Sequence, residues 1–206
     1  MDHAVSLVQA YLQLNGYFTV AEYPVIEVAA GHGYEVITDL DIMAFRFPGA
    51  GRLVPGRREQ PMFEPDPVLG IMGDEPDMLI GEIKEGRATL NQHTRDPNVL
   101  RTVLARFGCC SYESSSDVVN RPLRKGSALT HGGHRVRLMA FGSRVPPTLP
   151  SGYQVISLGH MVAFIEDYLK LHWSMLHHAQ FKHPVLGLFM LLEKARCETP
   201  DAGNPG

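Results

Sequence analysis

At 206 residues, with 44% hydrophobic and 20% charged side chains, the chain can bury a sizeable core and lacks the composition of a disordered protein. No run approaches the roughly 18 apolar residues that would cross a bilayer, and the opening MDHAVSLVQAYLQLNG is too acidic and polar for a signal peptide. Cys109, Cys110 and Cys197 make no even set and no CxxC pair, so reduced thiols in a cytoplasmic protein are expected and a zinc knuckle is disfavoured.

The net charge of −3 conceals a strong asymmetry. Residues 1–86 hold 14 Asp and Glu against 5 Lys and Arg, whereas residues 87–137 hold 9 Lys and Arg against 3 acids. An acidic half suits a cation site, and a basic segment suits a surface that meets phosphates. Uneven spacing of charges by chance is the plainer alternative.

In chain order, Asp2 to Asn15 reads as an amphipathic helix, with Val5, Val8, Tyr11 and Leu12 on one face, an Asp N-cap and Gly16 as its stop. Tyr17 to Glu27 is rich in aromatic and β-branched residues and predicts a strand, with Pro24 suggesting an edge or a bend. After a turn at GHG (31–33), Tyr34 to Phe47 predicts a long, largely buried strand. Its Asp39 and Asp41 lie two apart and are expected to share a face. Residues 48–76 are dense in Gly and Pro, with basic Arg57 and Arg58, and read as an excursion between strands. Asp77 to Lys84 (DMLIGEIK) predicts the next strand, and Asp96-Pro97 opens a helix through Leu100, Val103, Leu104 and Phe107 that closes at Gly108. Residues 109–134 look polar and irregular. Arg135 to Gly142 and Tyr153 to Ser157 predict strands; Ser157 then caps a helix carrying Met161, Phe164, Ile165, Tyr168 and Leu171. A final apolar helix from Pro184 to Arg196 suits either packing on the core or a homodimer contact. Residues 1–198 are expected to form one domain and 199–206 a disordered tail. The resulting order, α-β-β-β-α-β-β-α-α, implies an α/β fold: a mixed central sheet flanked by helices.

Three charges interrupt these apolar strands. A carboxylate within ITDLDIMAF costs several kcal/mol unless it is paired, hydrogen-bonded or cation-bound. Glu82 and Lys84 lie two apart in GEIKEG and must leave the same strand face. If that strand pairs with the one bearing Asp41, two carboxylates and an amine converge. Two carboxylates can hold Mg²⁺ or Mn²⁺, and the amine can position water or steady the charge on a phosphate. A plain ion pair between Glu82 and Lys84 is the competing reading, and Asp39 competes with Asp41 for the ligand role. Six histidines, at 131, 134, 172, 177, 178 and 183, lack acidic or cysteine partners at metal-site spacing and read as surface or interface residues. There is no phosphate loop, nucleophile elbow or dinucleotide fingerprint.

An Asp on one central strand with Glu-x-Lys on the next, in an α-β-β-β-α-β order, resembles the restriction-endonuclease-like, or PD-(D/E)XK, nuclease superfamily over roughly residues 1–160. The resemblance implies an αβββαβ core with extra C-terminal helices. It also implies Mg²⁺- or Mn²⁺-dependent hydrolysis of DNA phosphodiester bonds, with Asp41 and Glu82 as metal ligands and Lys84 as the catalytic amine. Leu40 stands where the motif's name has proline. Some relatives carry a further helix-borne Glu; the first helix here has none, so Glu22 or Glu27 would have to substitute, Glu22 being preferred. Asn91 and Gln92 are candidates for the polar residue that follows the Lys in some members. Arg87, Arg95, Arg101, Arg124 and Lys125, with the basic residues at 121 and 135–137, are expected to guide DNA phosphates. A catalytically silent nucleic-acid- or protein-binding member of the same fold is the alternative.

Overall fold

The computed structural model describes residues 2–29, 31, 33–52, 63–72 and 75–197, apart from the side chains of 122–124. Helix α1 (His3–Leu14) begins where the Asp2 carboxylate accepts the Ala4 N–H at 2.8 Å. It ends ahead of Gly16, whose φ is 83°. A Cβ at Gly16 would lie 2.8 Å from the backbone of Ala50 and Gly51, so the turn after α1 can press on the turn after the second strand only as glycine.

Strands β1 (Phe18–Val28), β2 (Tyr34–Arg46) and β3 (Asp77–Arg87) form an antiparallel meander. After β3 the chain passes through α2 (Pro97–Arg106), α3 (Ser115–Lys125) and β4 (Ser127–Leu129). It returns as β5 (Arg135–Arg144), parallel to β3, followed by β6 (Gln154–Ser157), parallel to β5. Helices α4 (Leu158–Leu171), α5 (Trp173–Leu176) and α6 (Pro184–Cys197) complete the described chain. The sheet order is β1-β2-β3-β5-β4; β6 takes the length of β5's outer edge that β4 leaves free.

Helices cover both faces of this mixed, curled sheet. On one, α1, α4 and α6 pack against Ile42, Ala44, Leu79, Ile83, Met139 and Phe141. On the other, α2 and α3 pack against Met43, Met78, Ile80, Val136 and Leu138. Covering on both faces explains why β3 and β5 read as almost unbroken apolar runs. Among the described residues no helix is long and apolar enough to cross a membrane.

Several expectations change. Residues 109–134 contain α3 and β4. Serine, Asp and Asn are weak helix formers and Pro122 lies within α3, so the segment reads as loop, but Val118 and Val119 anchor it under the sheet. Within the 48–76 excursion, where it is described, Phe63 and Leu69 enter the α1/α4 core. Asp66 there accepts the Tyr11 hydroxyl at 2.7 Å and lies 2.5 Å from His160 Nε2. The Arg57/Arg58 patch and the tail at 199–206 fall outside the described residues. Helix α6 buries Leu186 but leaves Leu188, Leu191 and Leu192 exposed, so its apolar character is only partly used within the chain.

Candidate functional site

Strand β3 lies between β2 and β5 and alternates cleanly. Met78 and Ile80 face α2, and Glu82 and Lys84 continue that side. The Glu82 side chain is 1% exposed. Burial is tolerable because three donors meet it: Asn91 Nδ2 at 2.9 Å and the Lys84 ammonium on Oε1, and Thr94 Oγ1 at 2.7 Å on Oε2. Asn91 also accepts the Thr94 N–H at 2.6 Å, which draws the short 3-10 turn at His93–Arg95 across the strand. Lys84 remains 43% exposed, so the ion pair has one dry and one wet end.

Asp41 stands where β2 and β3 part. Their pairing runs from Arg46–Asp77 to Ile42–Gly81 and stops there; the next rung would place Asp41 opposite Glu82. Instead, Asp41 Oδ2 accepts the Ile83 N–H at 2.7 Å, a side-chain substitute for the lost backbone bond. The facial alternation also breaks here. Ile42 packs toward α1 while Leu40, two residues earlier, packs toward α2; Ala21 and Tyr23 on β1 diverge in the same way. Between those two β1 residues lies Glu22, which like Asp41 has no partner in the β1/β2 register, with φ at 52°, the left-handed region that a side chain other than glycine rarely adopts.

The electrostatics follow from this placement. Burial pushes the Asp41 carboxyl above its ordinary value; Glu82 and Asp2 push the same way, while the Ile83 N–H and Lys84 oppose. Lys84 is held above its ordinary value, first by its hydrogen bond to Glu82 and then by the charges of Glu82 and Asp41. Two carboxylates therefore repel each other across the parting of two strands, and the Lys84 ammonium is attracted by both. A divalent cation would relieve that repulsion. The donor set fits a hard cation of the Mg²⁺ type, which commonly uses one or two carboxylates and completes its shell with water and phosphate oxygen.

Other candidates are placed differently. Among the described residues no three His, Cys, Asp or Glu side chains come together as a cation cage, so Glu22 does not join Asp41 and Glu82. Its left-handed backbone departs from the strand geometry behind the expectation, and its side chain is exposed. Glu27 accepts from Thr102 Oγ1 at 3.1 Å and is tied to α2. Asp39 is exposed opposite Pro24, so sharing strand parity with Asp41 does not bring it into the charge cluster. Asn91 reaches Glu82, whereas Gln92 is exposed without a side-chain cap bond.

Of the basic residues, Arg87 and Lys125 are exposed, and Arg95 is exposed with its guanidinium 5.0 Å from the Tyr153 ring. Arg101 is engaged inside its own layer, at Ser115 Oγ, the Tyr112 carbonyl and the Tyr112 ring. Arg135 donates to the Gly70 carbonyl at 2.9 Å. Arg137 is buried on Asp77 and cannot guide a phosphate. The Arg124 side chain lies outside the described residues.

Sequence reasoning missed Thr94 and Asp2. Thr94 reaches Glu82 only because the chain folds back after β3, and Asp2 acts on Asp41 only because of the direction in which α1 runs. Parity along a strand carries neither signal. No protein-family model, curated protein or solved structure matches the chain. What defines it is therefore its own geometry: an α/β protein with a mixed sheet and a carboxylate–carboxylate–ammonium cluster where two strands diverge.

Proposed function

We propose that the chain is a divalent-metal-dependent nuclease of the restriction-endonuclease-like class that hydrolyses DNA phosphodiester bonds. The observation that carries this reading is the convergence of Asp41, Glu82 and Lys84 at the point where β2 and β3 separate. The path α1-β1-β2-β3-α2-β5, with β5 parallel to β3, supports the αβββαβ core. The exposed cations Arg87, Arg95 and Lys125 support an anionic polymer as substrate.

In this reading Asp41 and Glu82 hold the cation. When bound, Mg²⁺ or Mn²⁺ would polarise the phosphate and lower the pKa of a water. Asn91 and Thr94 fix the rotamer of Glu82, so its remaining lone pair, on Oε2, is aimed before substrate arrives. Lys84 is protonated at neutral pH because its titration lies above the ordinary lysine value. It therefore acts as an ammonium that steadies negative charge growing on the phosphate oxygens, not as a base.

The test is incubation of linear, nicked and single-stranded DNA with the protein and Mg²⁺ or Mn²⁺. Cleavage is expected, abolished by a chelator and reduced about 10²–10³-fold in Lys84→Ala. Undiminished cleavage by that variant would remove Lys84 from the mechanism. A second reading, a silent DNA- or protein-binding member of the same fold, is favoured by the Lys84 ammonium already engaging Glu82. Chelator-insensitive DNA binding without cleavage of any substrate would select it.

A further inference from the structure

The pairing of β3 with β5 runs in register from Asp77–Arg135 to Lys84–Gly142, shifts by one residue, and resumes at Arg87–Arg144. The Ala88 N–H donates to the Arg144 carbonyl at 2.9 Å, which fixes that last rung. A Cβ at Gly142 would lie 2.7 Å from Ala88 N, so glycine lets the end of β3 close over β5. Two arginines are thereby locked onto neighbouring strands, roughly 5 Å apart between backbones. Like charges in register destabilise a sheet unless something lies between them. Both side chains are exposed, and among the described residues neither has a carboxylate partner. Glu85, the nearest acid in sequence to Arg87, pairs with neither.

We infer that Arg87 and Arg144 form a clamp for a phosphodiester oxyanion, engaging a backbone phosphate next to the one at Asp41, Glu82 and Lys84. The inference rests on the nuclease reading for its choice of phosphodiester. Arg144 lies two residues beyond the Lys84–Gly142 rung, about 7 Å along β5, on the scale of the step between neighbouring phosphates in one strand. A guanidinium pair suits this task because each fork can grip two phosphate oxygens, and a shared anion offsets the repulsion between them.

The experiment is fluorescence-anisotropy titration of a labelled DNA duplex with the full chain, in chelator so that no bond is cut, across a series of salt concentrations. Wild type is compared with Arg87→Ala, Arg144→Ala and Arg144→Lys, and with Lys182→Ala as an exposed cation on another part of the chain. Each arginine truncation is expected to weaken binding roughly 5–10-fold near 0.1 M salt and to lower the salt slope by about one, as loss of one phosphate contact does. Arg144→Lys should keep the slope but bind more weakly than wild type, and Lys182→Ala should leave both unchanged. Equal affinity and slope for wild type and both truncations overturns the clamp, as does an equal loss in Lys182→Ala. A parallel cleavage assay separates the two claims. Cleavage by wild type with unaltered binding by the arginine variants keeps the nuclease and removes the clamp; weakened binding without any cleavage keeps the clamp and removes the nuclease.

Discussion

Strand β3 carries two buried carboxylates five residues apart, and the molecule treats them in opposite ways. Asp77, at the start of the strand, is gripped by Arg137 through Nε at 2.9 Å and Nη2 at 2.5 Å and accepts the Tyr17 hydroxyl at 2.5 Å. Both members of that pair are 3% exposed. The remaining Arg137 nitrogen donates to the Leu69 carbonyl at 2.5 Å and to Gln154 at 3.1 Å, so the whole fork is spent on the protein. Glu82 has equal burial but a half-exposed cation and a second carboxylate, Asp41, pressing on it from the next strand. The first site is closed and complete. The second is held short of completion, with its charge imbalance facing the solvent, and that difference separates a structural ion pair from a site able to accept a ligand.

Breaking the closed site should have the largest effect on folding. Arg137→Ala leaves the buried Asp77 charge without its cation and should cost about 3–5 kcal/mol, a fall in melting temperature on the order of 10 °C for a chain this long. DNA cleavage per folded molecule should stay near wild type. A melt that barely moves would show that the two sites differ less than their burial suggests.

At the open site the ordering reverses. Glu82→Gln keeps the shape and one carbonyl acceptor, so the stability loss should stay within about 1–3 kcal/mol, while Mg²⁺-dependent cleavage should be lost. Retained cleavage, measured on the same preparation as the melt, would make Glu82 a purely structural carboxylate.

Asp41→Asn should give the smallest and most diagnostic change. Its carboxyl titrates above the ordinary value, so the folded form holds a proton more tightly than the unfolded chain does. Stability is therefore lost as pH rises from the ordinary carboxylate range through the raised value, and the loss persists at neutral pH. Asparagine escapes that loss and can still accept the Ile83 N–H. Melts across pH should show the variant more stable than wild type at neutral pH, with the gain vanishing in acid. A variant less stable at every pH would mean that the Ile83 bond outweighs the repulsion.

Much of the sheet was legible in the sequence because β3 and β5 obey simple alternation. Parity alone placed Glu82 and Lys84 on one side, and Asp96-Pro97 marked the start of α2, where the Asp96 carboxylate caps the Asn98 N–H at 2.8 Å. Alternation failed on β1 and β2. The left-handed backbone at Glu22 and the side-chain-for-backbone exchange at Asp41 let neighbouring residues change layers, so parity wrongly grouped Asp39 with Asp41. Composition failed on α3, a helix held by tertiary burial of Val118 and Val119 against its own propensities. The basic block was equally ambiguous, since a guanidinium spent on Asp77 and one exposed to solvent look alike in a sequence.

The most direct test is an Mn²⁺ titration, read by electron paramagnetic resonance, of wild type, Glu82→Gln, Asp41→Asn and Lys84→Met, with DNA cleavage measured on the same samples. Lys84 and Asn91 share Glu82 Oε1 in the free protein, so removing Lys84 frees one of its lone pairs and takes a positive charge from the site. A nuclease site requires that Lys84→Met bind Mn²⁺ at least as tightly as wild type while losing cleavage, and that both carboxylate variants lose the ion. Mn²⁺ binding that is equal in all four proteins, or cleavage by Lys84→Met at the wild-type rate, would contradict it.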